Sequence, residues 1–325
     1  MKYTRCGDID IPVMSMGCWG IGGGFMWGDQ DKGVAIKTIH AALDAGVTLF
    51  DTAEGYNDGV SESTLGEALS GRRSEALIAT KVSPSHFGPG EIIAACESSL
   101  ARLQTDYIDL YQLHWPSDAP VEQIDEQITA LLESGKIRNF GVCNFGVKNL
   151  NELLKKRTCV TNQLAYSLVW RAIEYEVLPL CRDNGIGVLT YSTLLHGLLS
   201  GRYRSADEVP VDRARTRHFS GEREKARHGE EGCEKLLFST LDEIRKIAGD
   251  EYSMKDLALL WATAKPGVTS VIFGARTPEH VAENVALAES TLPQELIAAL
   301  DEATEALKKY FGTNIDMWQS PGRSA

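Results

Sequence analysis

The sequence lacks the features that mark secreted, membrane-spanning and metal-binding chains. Its seven cysteines are scattered among 325 residues, with no CxxC pair and an odd total, so we expect neither a disulfide framework nor a zinc site. No apolar run approaches the roughly 20 residues that a membrane-spanning helix requires, and the polar N-terminus shows no secretory signal. We therefore predict a cytoplasmic protein with reduced cysteines, no membrane partner and no bound metal.

The chain also lacks an excess of positive charge. Lys and Arg total 33 against 45 Asp and Glu, which gives a net charge of -12. Such a surface argues against nucleic acid and anionic membrane as partners. A GxGxxG motif after an early strand is missing as well, so no Rossmann domain is predicted. The hydrophobic share of 43% nevertheless allows a large core.

The sequence does contain three successive apolar runs that each end near an ionisable residue. The first ends at Asp51, with Tyr56 five residues later. The second is followed by Lys81 and the third by His114. Short apolar runs of this kind are typical of buried parallel strands. In a parallel barrel the carboxyl ends of the strands meet at one mouth, where such barrels carry out their chemistry.

Strand and helix patterns alternate along the whole chain and predict an α/β fold. Strand runs fall at 13–17, 47–51, 76–80, 108–113, 137–142, 161–165, 187–190 and 270–273. Helical patterns fall at 32–45, 62–69, 90–103, 124–134, 147–156, 174–184, 255–264 and 278–288. Eight such units predict a (β/α)8 TIM barrel that forms a single domain over 1–325. Residues 1–13 predict an N-terminal β-hairpin, and 230–248 and 293–309 predict extra helices outside the barrel.

Two segments interrupt this alternation. Residues 18–28 are rich in Gly and Trp and predict a loop over the barrel mouth. Residues 199–228 are polar, long and aperiodic, which favours a functional flap over a linker. This second segment carries Arg202, Arg204, Arg213, Arg215, Arg217, Arg223 and Arg227. It is either a solvated loop or a flap that closes over cofactor phosphates or an anionic substrate.

The residues at the strand ends fit the reduction of a carbonyl by hydride, which needs a proton on the carbonyl oxygen. A tyrosine such as Tyr56 can supply it if its pKa, normally near 10, is lowered toward working pH. A lysine ammonium beside the phenol has that effect, and Lys81 in turn requires a carboxylate such as Asp51. A histidine, His114, can hold the substrate oxygen. The alternative is that Asp51 and Lys81 form an ordinary structural ion pair.

Taken in order, the motifs of the chain resemble those of the aldo-keto reductases, closest to the bacterial and channel-β-subunit-like branches. The matching motifs are Phe50-Asp51-Thr52-Ala53-Glu54-Gly55-Tyr56, Thr80-Lys81, Leu113-His114-Trp115-Pro116, Gly141-Val142-Cys143-Asn144-Phe145, Thr161-Asn162-Gln163 and Gly274-Ala275-Arg276-Thr277. The resemblance implies that Tyr56 is the general acid/base, that Lys81 and Asp51 tune it, and that His114 orients the carbonyl oxygen. It also implies NADP(H) as the favoured cofactor, with NAD(H) as an alternative.

The resemblance further assigns binding residues. The implied cofactor contacts are Gly17, Cys18, Trp19, Asp51, Cys143, Asn144, Gln163, Tyr191, Ser192, Leu194, Gly197, Leu199, Gly201, Arg202, Gly274, Arg276, Thr277, His280, Glu283 and Asn284. The implied substrate contacts are Trp27, Tyr56, His114 and Trp115. Gly274 and Ala275 stand where some branches carry Lys-Ser for the 2′-phosphate, which leaves Arg276 as the main cation for that group.

Three functions are compatible with the sequence. The first is a reductase or dehydrogenase of an aldehyde, ketone or sugar, and this is the function that we predict. The second is a channel-β-subunit-like interaction protein that binds NADP with little turnover. The third is a lyase or aldolase in which Lys81 forms a Schiff base. The expected partner is a small carbonyl or sugar substrate, and a homo-oligomer is left open.

Overall fold

The structure is a computed structural model that describes residues 1–24 and 26–324. Phe25, inside the predicted loop at 18–28, and Ala325, at the end of the predicted domain, lie outside the described residues. Within the described residues no helix combines the length and the apolar character that crossing a membrane requires. That the whole of 1–325 forms one domain stays a prediction.

The predicted hairpin is present and closes one end of the barrel. Strands β1 (Tyr3–Cys6) and β2 (Ile9–Pro12) pair antiparallel, with Cys6 opposite Ile9. This register leaves a two-residue turn at Gly7 and Asp8, and Gly7 has a φ of 55°, as such turns require. The backbone N–H of Asp8 donates to Asn139 Oδ1 at 3.1 Å, which ties the turn to the barrel.

A closed barrel of eight parallel strands follows, which confirms the predicted fold class. Its strands are β3 (Met14–Gly17), β4 (Leu49–Asp51), β5 (Leu77–Val82), β6 (Ile108–Leu113), β7 (Ile137–Cys143), β8 (Thr161–Ala165), β9 (Gly187–Tyr191) and β10 (Val268–Gly274). They neighbour one another in chain order, and β10 pairs with β3 to close the ring. The carboxyl ends of all eight strands therefore open on the same side.

Helices surround the barrel. They are α1 (Lys32–Asp44), α2 (Val60–Ala68), α3 (Glu91–Leu103), α4 (Val121–Glu133), α5 (Val147–Leu154), α6 (Val177–Asp183), α7 (Glu234–Ala248), α8 (Met254–Ala264), α9 (Pro278–Val285) and α10 (Gln294–Phe311). Of these, α7 and α10 are the two extra helices that the sequence predicts. The pattern at 174–184 was read as one helix, but it divides into a 3-10 turn, Ala172–Glu174, and α6. The reason is Pro179, which has no backbone N–H and is tolerated only in the first turn of a helix.

The core is divided by the sheet. The larger part lies between the strands and the helices, and a smaller cluster fills the barrel interior next to the hairpin. The members of this smaller cluster are Cys6, Ile9, Ile11, Leu49, Ala79, Leu110, Leu189 and Ile272. Because the hairpin end is sealed by apolar side chains, only the opposite end of the barrel is left for a polar site.

The arginine-rich segment is more ordered than its composition predicts. Residues 216–219 are buried, and the Arg217 backbone N–H donates to the Met317 carbonyl at 2.9 Å. The Arg217 and Arg223 guanidinium groups form ion pairs with Glu230 and Glu234, each at 2.8 Å. The prediction of a simple solvated loop is therefore wrong for this part of the segment. The acidic partners lie beyond the polar run, so its composition alone does not reveal the pairing.

The contact between α2 and α3 leaves no room for a side chain at Gly66. A Cβ there would lie 2.5 Å from both the carbonyl carbon and the carbonyl oxygen of Leu103. We expect Gly66→Ala to lower the free energy of unfolding by about 1 to about 3 kcal/mol through overpacking, measured by urea denaturation. Glu67→Ala, at an exposed position of the same helix, is the control and should cost less than about 1 kcal/mol. Equal stability of the Gly66 variant and wild type would contradict this packing.

Candidate active site

The open end of the barrel holds a buried ion pair between Asp51 and Lys81. Asp51 ends β4 and Lys81 lies in β5, so the parallel pairing of these strands brings the two side chains together. The Lys81 Nζ donates to Asp51 Oδ1 at 2.6 Å, to the Thr52 carbonyl at 2.7 Å and to the Tyr56 hydroxyl at 3.1 Å. All three ammonium protons thus have partners. Burial opposes the charge, but Asp51 and Tyr56 together raise the pKa of Lys81, so it stays protonated.

Two amides hold the second carboxylate oxygen of Asp51. Gln163 Nε2 donates to Asp51 Oδ2 at 2.7 Å, and Gln112 Nε2 lies 3.4 Å from the same oxygen. Gln163 was predicted from the resemblance as a cofactor contact, whereas Gln112 was missed. Alternation along a strand could have found it, because Gln112 lies two residues before His114 and so shares its side of the sheet. By holding Oδ2, these amides orient the Asp51 carboxylate so that its Oδ1 faces Lys81.

Tyr56 lies in the loop after β4 with its ring between Trp19 and His114. Its ring centroid is 5.7 Å from the stacked Trp19 ring and 5.9 Å from the His114 ring. Burial raises the pKa of Tyr56 to about 12, although the Lys81 charge acts in the opposite direction. The expectation that Lys81 brings this pKa down toward working pH is therefore wrong for this structure. The cause is desolvation, which disfavours the phenolate more than the ammonium favours it.

His114 follows β6 and faces Tyr56 across the mouth. Burial lowers its pKa to about 3, and the charges of Lys81 and Arg323 act in the same direction. Its imidazole is consequently neutral at ordinary pH and keeps one N–H and one lone pair. A neutral ring next to a protonated phenol can donate a hydrogen bond to a substrate oxygen without carrying charge into the site.

A long cavity of about 790 Å³ opens beside these residues, a size typical of ligand sites. It brings together most of the residues that the sequence predicts. Those that line it are Gly17, Trp19, Trp27, Asp51, Tyr56, His114, Trp115, Asn144, Gln163, Tyr191, Ser192, Leu194, Gly197, Arg202, Gly274, Arg276, His280, Glu283 and Asn284. Lys81 lies directly behind this wall, next to Asp51 and Tyr56.

Five predicted cofactor residues do not line the cavity: Cys18, Cys143, Leu199, Gly201 and Thr277. Cys18 and Leu199 are fully buried, and the Cys143 thiol donates to Gln112 Oε1 at 3.6 Å. The Thr277 hydroxyl caps α9 by accepting from the His280 N–H at 3.4 Å. These four side chains are buried or hydrogen-bonded inside the protein, and Gly201 has no side chain. We therefore expect ligand contacts at these positions from the backbone only.

The loop after β9 has the features of a ligand cradle. Ser192, Leu195 and His196 all have positive φ although none is glycine, and Gly197 has a φ of 94°. Such strain concentrates at ligand-binding sites. Among the described residues, the buried Thr193 Oγ1 and His196 Nδ1 lack a hydrogen-bond partner, and both residues line the cavity. Buried polar atoms are rarely unpaired, so this loop fits a polar ligand such as a dinucleotide.

Asn144 and Tyr191 are joined on the floor of the cavity. The Tyr191 hydroxyl donates to Asn144 Oδ1 at 2.8 Å, and Asn144 Nδ2 donates to the His114 carbonyl at 3.0 Å. Asn144 has a φ of 62°, a conformation that asparagine tolerates better than most residues. Its side chain therefore braces Tyr191 and the strand end at His114, in addition to any contact with a ligand.

Arg276 is more occupied than the sequence predicts. Its Nε donates to Gln30 Oε1 and its Nη1 to the Trp27 carbonyl, each at 2.6 Å, and Nη2 donates to the Asp29 carbonyl. The guanidinium thus holds the Trp27 loop across the cavity. Lys255, which sequence reasoning missed, also lines this end and pairs with Glu283 at 2.8 Å. Lys255 therefore provides a second cation at this end of the cavity.

The C-terminal tail forms a wall that sequence reasoning also missed. Trp318, Gln319 and Arg323 line the cavity. Arg323 is fixed by Asp316, with 2.8 Å between Nε and Oδ2, and its Cζ lies 3.5 Å from the centre of the Trp115 ring. These residues follow α10 in a segment without a repeating pattern, so nothing in the sequence places them opposite His114.

The mouth of this closed parallel barrel joins a buried Asp–Lys–Tyr set to a long cavity lined by both apolar and polar side chains. The model of the Aldo/keto reductase family matches residues 13–305. The chain is 36% identical to the aldo-keto reductase YhdN of Bacillus subtilis, over 86% of each chain. It is 33% identical to an NADH-specific methylglyoxal reductase of Escherichia coli, over 95% of this chain and 100% of that one. The chain belongs to the aldo/keto reductase family of oxidoreductases, which confirms the resemblance.

Solved structures agree with this assignment. An aldo/keto reductase from Klebsiella pneumoniae in complex with NADP and acetate superposes with a TM-score of 0.73 at 31% identity. The match covers 93% of this chain and 94% of that one. A TM-score of 0.73 over this coverage supports the closed eight-stranded barrel of this chain as the fold that the two chains share.

The ion pair at the mouth predicts a strong energetic coupling. Asp51→Asn leaves the buried Lys81 charge without a counterion, so we expect a loss of about 3 to about 5 kcal/mol in the free energy of unfolding. Combining it with Lys81→Met removes both charges and should restore part of that loss. The measurement is urea denaturation of the two single variants and the double variant.

The control for this cycle is Asp183→Asn, which removes the acid of the exposed Arg182–Asp183 pair. Exposed pairs contribute little, so a change below about 1 kcal/mol is expected. Losses from Asp51→Asn and Lys81→Met that simply add in the double variant would show that the two groups are not coupled.

Proposed function

We propose that this protein reduces an aldehyde, ketone or sugar carbonyl, or oxidises the corresponding alcohol, with a nicotinamide cofactor and with Tyr56 as general acid/base. The observation that carries the proposal is the contact of the Tyr56 hydroxyl with Lys81 Nζ at 3.1 Å, at the edge of a cavity large enough for a cofactor and a small substrate. Bound there, the cofactor would supply or accept the hydride. The chain supplies the proton.

In the reduction, the Tyr56 hydroxyl donates its proton to the carbonyl oxygen as negative charge develops on it. The Lys81 ammonium, 3.1 Å away, stabilises the phenolate that this transfer leaves. Asp51 keeps that ammonium in place through its 2.6 Å contact. Lys81 is thus an electrostatic support for Tyr56 and not itself a reactant.

His114 serves to orient the substrate. Its neutral imidazole stands beside the phenol and can donate one hydrogen bond to the same carbonyl oxygen. Two donors on one oxygen fix the direction of the carbonyl group, and orientation of this kind contributes to rate. Trp19, Trp27 and Trp115 surround this position with apolar surface, which suits the carbon skeleton of a small substrate.

We propose NADP(H) as the cofactor, with NAD(H) as the alternative. The loop from Ser192 to Gly197 and the cationic Arg202 would hold the diphosphate. Asn144, Gln163 and Tyr191 would hold the nicotinamide. Arg276, His280 and Asn284 would hold the adenosine end. The Klebsiella reductase was solved with NADP, whereas the Escherichia coli relative is NADH-specific, so relatives at similar identity provide precedent for both cofactors.

The lyase hypothesis has little support. A Schiff base requires the Lys81 nitrogen to be deprotonated and reachable, but Lys81 is 1% exposed and makes three hydrogen bonds. Its pKa is raised, so the free amine is rare. No particular feature of the described residues favours the channel-subunit hypothesis.

Tyr56→Phe tests the proton donor. Removing one hydroxyl should lower kcat/KM for NADPH-dependent aldehyde reduction by a factor of about 100 to about 10,000. The dissociation constant of NADPH, measured by fluorescence titration, should change little because the ring is kept. Tyr175→Phe, at an exposed position that does not line the cavity, is the matched control. Undiminished turnover in the Tyr56 variant would remove the role proposed for it.

The pKa shifts predict opposite pH dependences for the two directions. The raised pKa of Tyr56, about 12, keeps the phenol protonated, and His114 is neutral above its pKa of about 3. Reduction needs both forms, so its kcat/KM should be flat from about pH 6 to about pH 9. Alcohol oxidation needs the phenolate and should speed up by about tenfold per pH unit over the same range. A steady fall of the reduction rate across this range would contradict the assignment.

A further inference from the structure

The Arg276 guanidinium contacts the Trp27 loop, residues 26–31, which ends the connection between β3 and α1. Its Nε donates to Gln30 Oε1 at 2.6 Å. Its Nη1 and Nη2 donate to the Trp27 and Asp29 carbonyls. In return, Gln30 Nε2 donates to the Arg276 carbonyl at 3.2 Å. Arg276 and Gln30 therefore hold each other through hydrogen bonds in both directions, an arrangement that we name the Arg276–Gln30 clasp.

The clasp joins two well-ordered parts of the barrel. Arg276 lies between the end of β10 and Thr277, whose hydroxyl caps α9. Gln30 directly precedes Asp31, whose side chain caps α1 by accepting from the Val34 N–H at 2.8 Å. Each partner is thus adjacent to a capped helix start, and such caps fix the first turn of a helix. The clasp consequently ties the Trp27 loop to rigid elements on both sides.

The clasp restrains the backbone of the loop as well as its side chains. Two of the three acceptors are main-chain carbonyls, and one of these belongs to Trp27 itself. Ordering a loop is opposed by conformational entropy, and hydrogen bonds from a charged donor are stronger than those between neutral groups. A single guanidinium with three acceptors in one loop is therefore well suited to hold that loop in place.

The ring that the clasp positions is that of Trp27. It meets the Trp19 ring edge to face, with the centroids 5.6 Å apart and an angle of 85° between the planes. Trp19 in turn stacks on Tyr56, and all three rings line the cavity. Trp19 and Trp27 therefore form an apolar corner beside the proposed proton donor. Apolar surface of this kind is what the carbon skeleton of a substrate packs against.

This use of Arg276 is additional to its proposed contact with the adenosine end of the cofactor. A guanidinium has five N–H groups, and the Trp27 loop uses three of them. A contact with the adenosine end concerns NADP(H) and NAD(H) equally, whereas a contact with the 2′-phosphate concerns NADP(H) alone. The two cofactors therefore distinguish the clasp from a role in selecting the 2′-phosphate.

We propose that Arg276, together with Gln30, is a positioning residue for the substrate, because the clasp holds Trp27 against Trp19 and so completes the apolar wall beside Tyr56. Arg276 acts on the substrate through Trp27 and not by direct contact. The inference rests on the proposed reductase function and adds to it the residues that shape the substrate side of the cavity.

The first test removes each half of the clasp. Arg276→Met and Gln30→Ala should each raise the KM for benzaldehyde by about threefold to about thirtyfold and leave kcat nearly unchanged, since lost packing weakens the binding of substrate and transition state alike. The double variant should resemble Arg276→Met alone, because both substitutions break the same contact. Effects that multiply in the double variant, or an unchanged KM in both single variants, would overturn the proposal.

The second test uses the two cofactors. In Arg276→Met, the dissociation constants of NADPH and NADH, measured by fluorescence titration, should change by the same factor. Gln30→Glu keeps an acceptor for Arg276 Nε and should keep the KM for benzaldehyde close to that of the wild type. A loss of affinity confined to NADPH, with an unchanged KM for benzaldehyde, would assign Arg276 to the 2′-phosphate and sink the positioning role.

The third test asks whether Arg276 acts through Trp27. Trp27→Leu should itself raise the KM for benzaldehyde, and adding Arg276→Met should then change this KM by less than about twofold, because the ring that the clasp positions is gone. A further large rise would show that Arg276 acts by another route. Arg182→Met, at an exposed position of α6 that does not line the cavity, is the matched control and should alter neither the KM nor the affinity for either cofactor.

A binding measurement separates this inference from the proposed function. Calorimetric titration of the NADP+-loaded protein with benzamide needs no turnover. Arg276→Met and Gln30→Ala should weaken benzamide binding by similar factors. Absence of turnover with every aldehyde would remove the reductase function, while this shared weakening would still support the clasp. Benzamide affinity equal to that of the wild type in both variants would overturn the inference and leave the reductase function standing.

Discussion

The site depends on a charge that the barrel must keep out of water. Lys81 is 1% exposed and Asp51 is 3% exposed, so removing either partner would leave the other charge buried without a counterion, which is strongly destabilising. The ammonium is held by a carboxylate, a backbone carbonyl and a phenol, and the carboxylate is held in turn by Gln163 and Gln112. These contacts hold the Lys81 ammonium in one position at the mouth of the barrel. From there it donates one hydrogen bond to the Tyr56 hydroxyl.

The charge of the Lys81 ammonium affects the pKa values of the neighbouring His114 and Tyr56. It lowers the pKa of His114, already lowered by burial, and so keeps the imidazole neutral. It also opposes the rise in the pKa of Tyr56, but desolvation is the larger effect and the phenol stays protonated. A proton donor and a neutral hydrogen-bond donor therefore stand side by side, an arrangement suited to a carbonyl oxygen that gains negative charge. The surrounding tryptophans keep this place apolar.

Much of the fold and the centre of the site could be predicted from the sequence because strand order and strand polarity constrain them. Apolar runs that alternate with helical patterns require parallel strands, and parallel strands place their carboxyl ends together. Asp51, Lys81 and His114 each stand at or just after such an end, so their proximity follows from topology. The start of α6 was predicted at residue 174 but lies at Val177, because Pro179 is tolerated only in the first turn of a helix.

The sequence by itself determined the barrel, the buried pair and the phenol beside it, since all three follow from local pattern and strand register. Only the tertiary structure decided which groups contact each polar side chain. It placed Gln112 on Asp51, committed Arg276 to the carbonyls of the Trp27 loop, and brought Trp318 and Arg323 from the C-terminal tail against His196 and Trp115. It also set the balance between burial and charge that fixes the pKa of Tyr56. These outcomes depend on contacts between residues far apart in the chain, and on how far water is excluded, which no local pattern records.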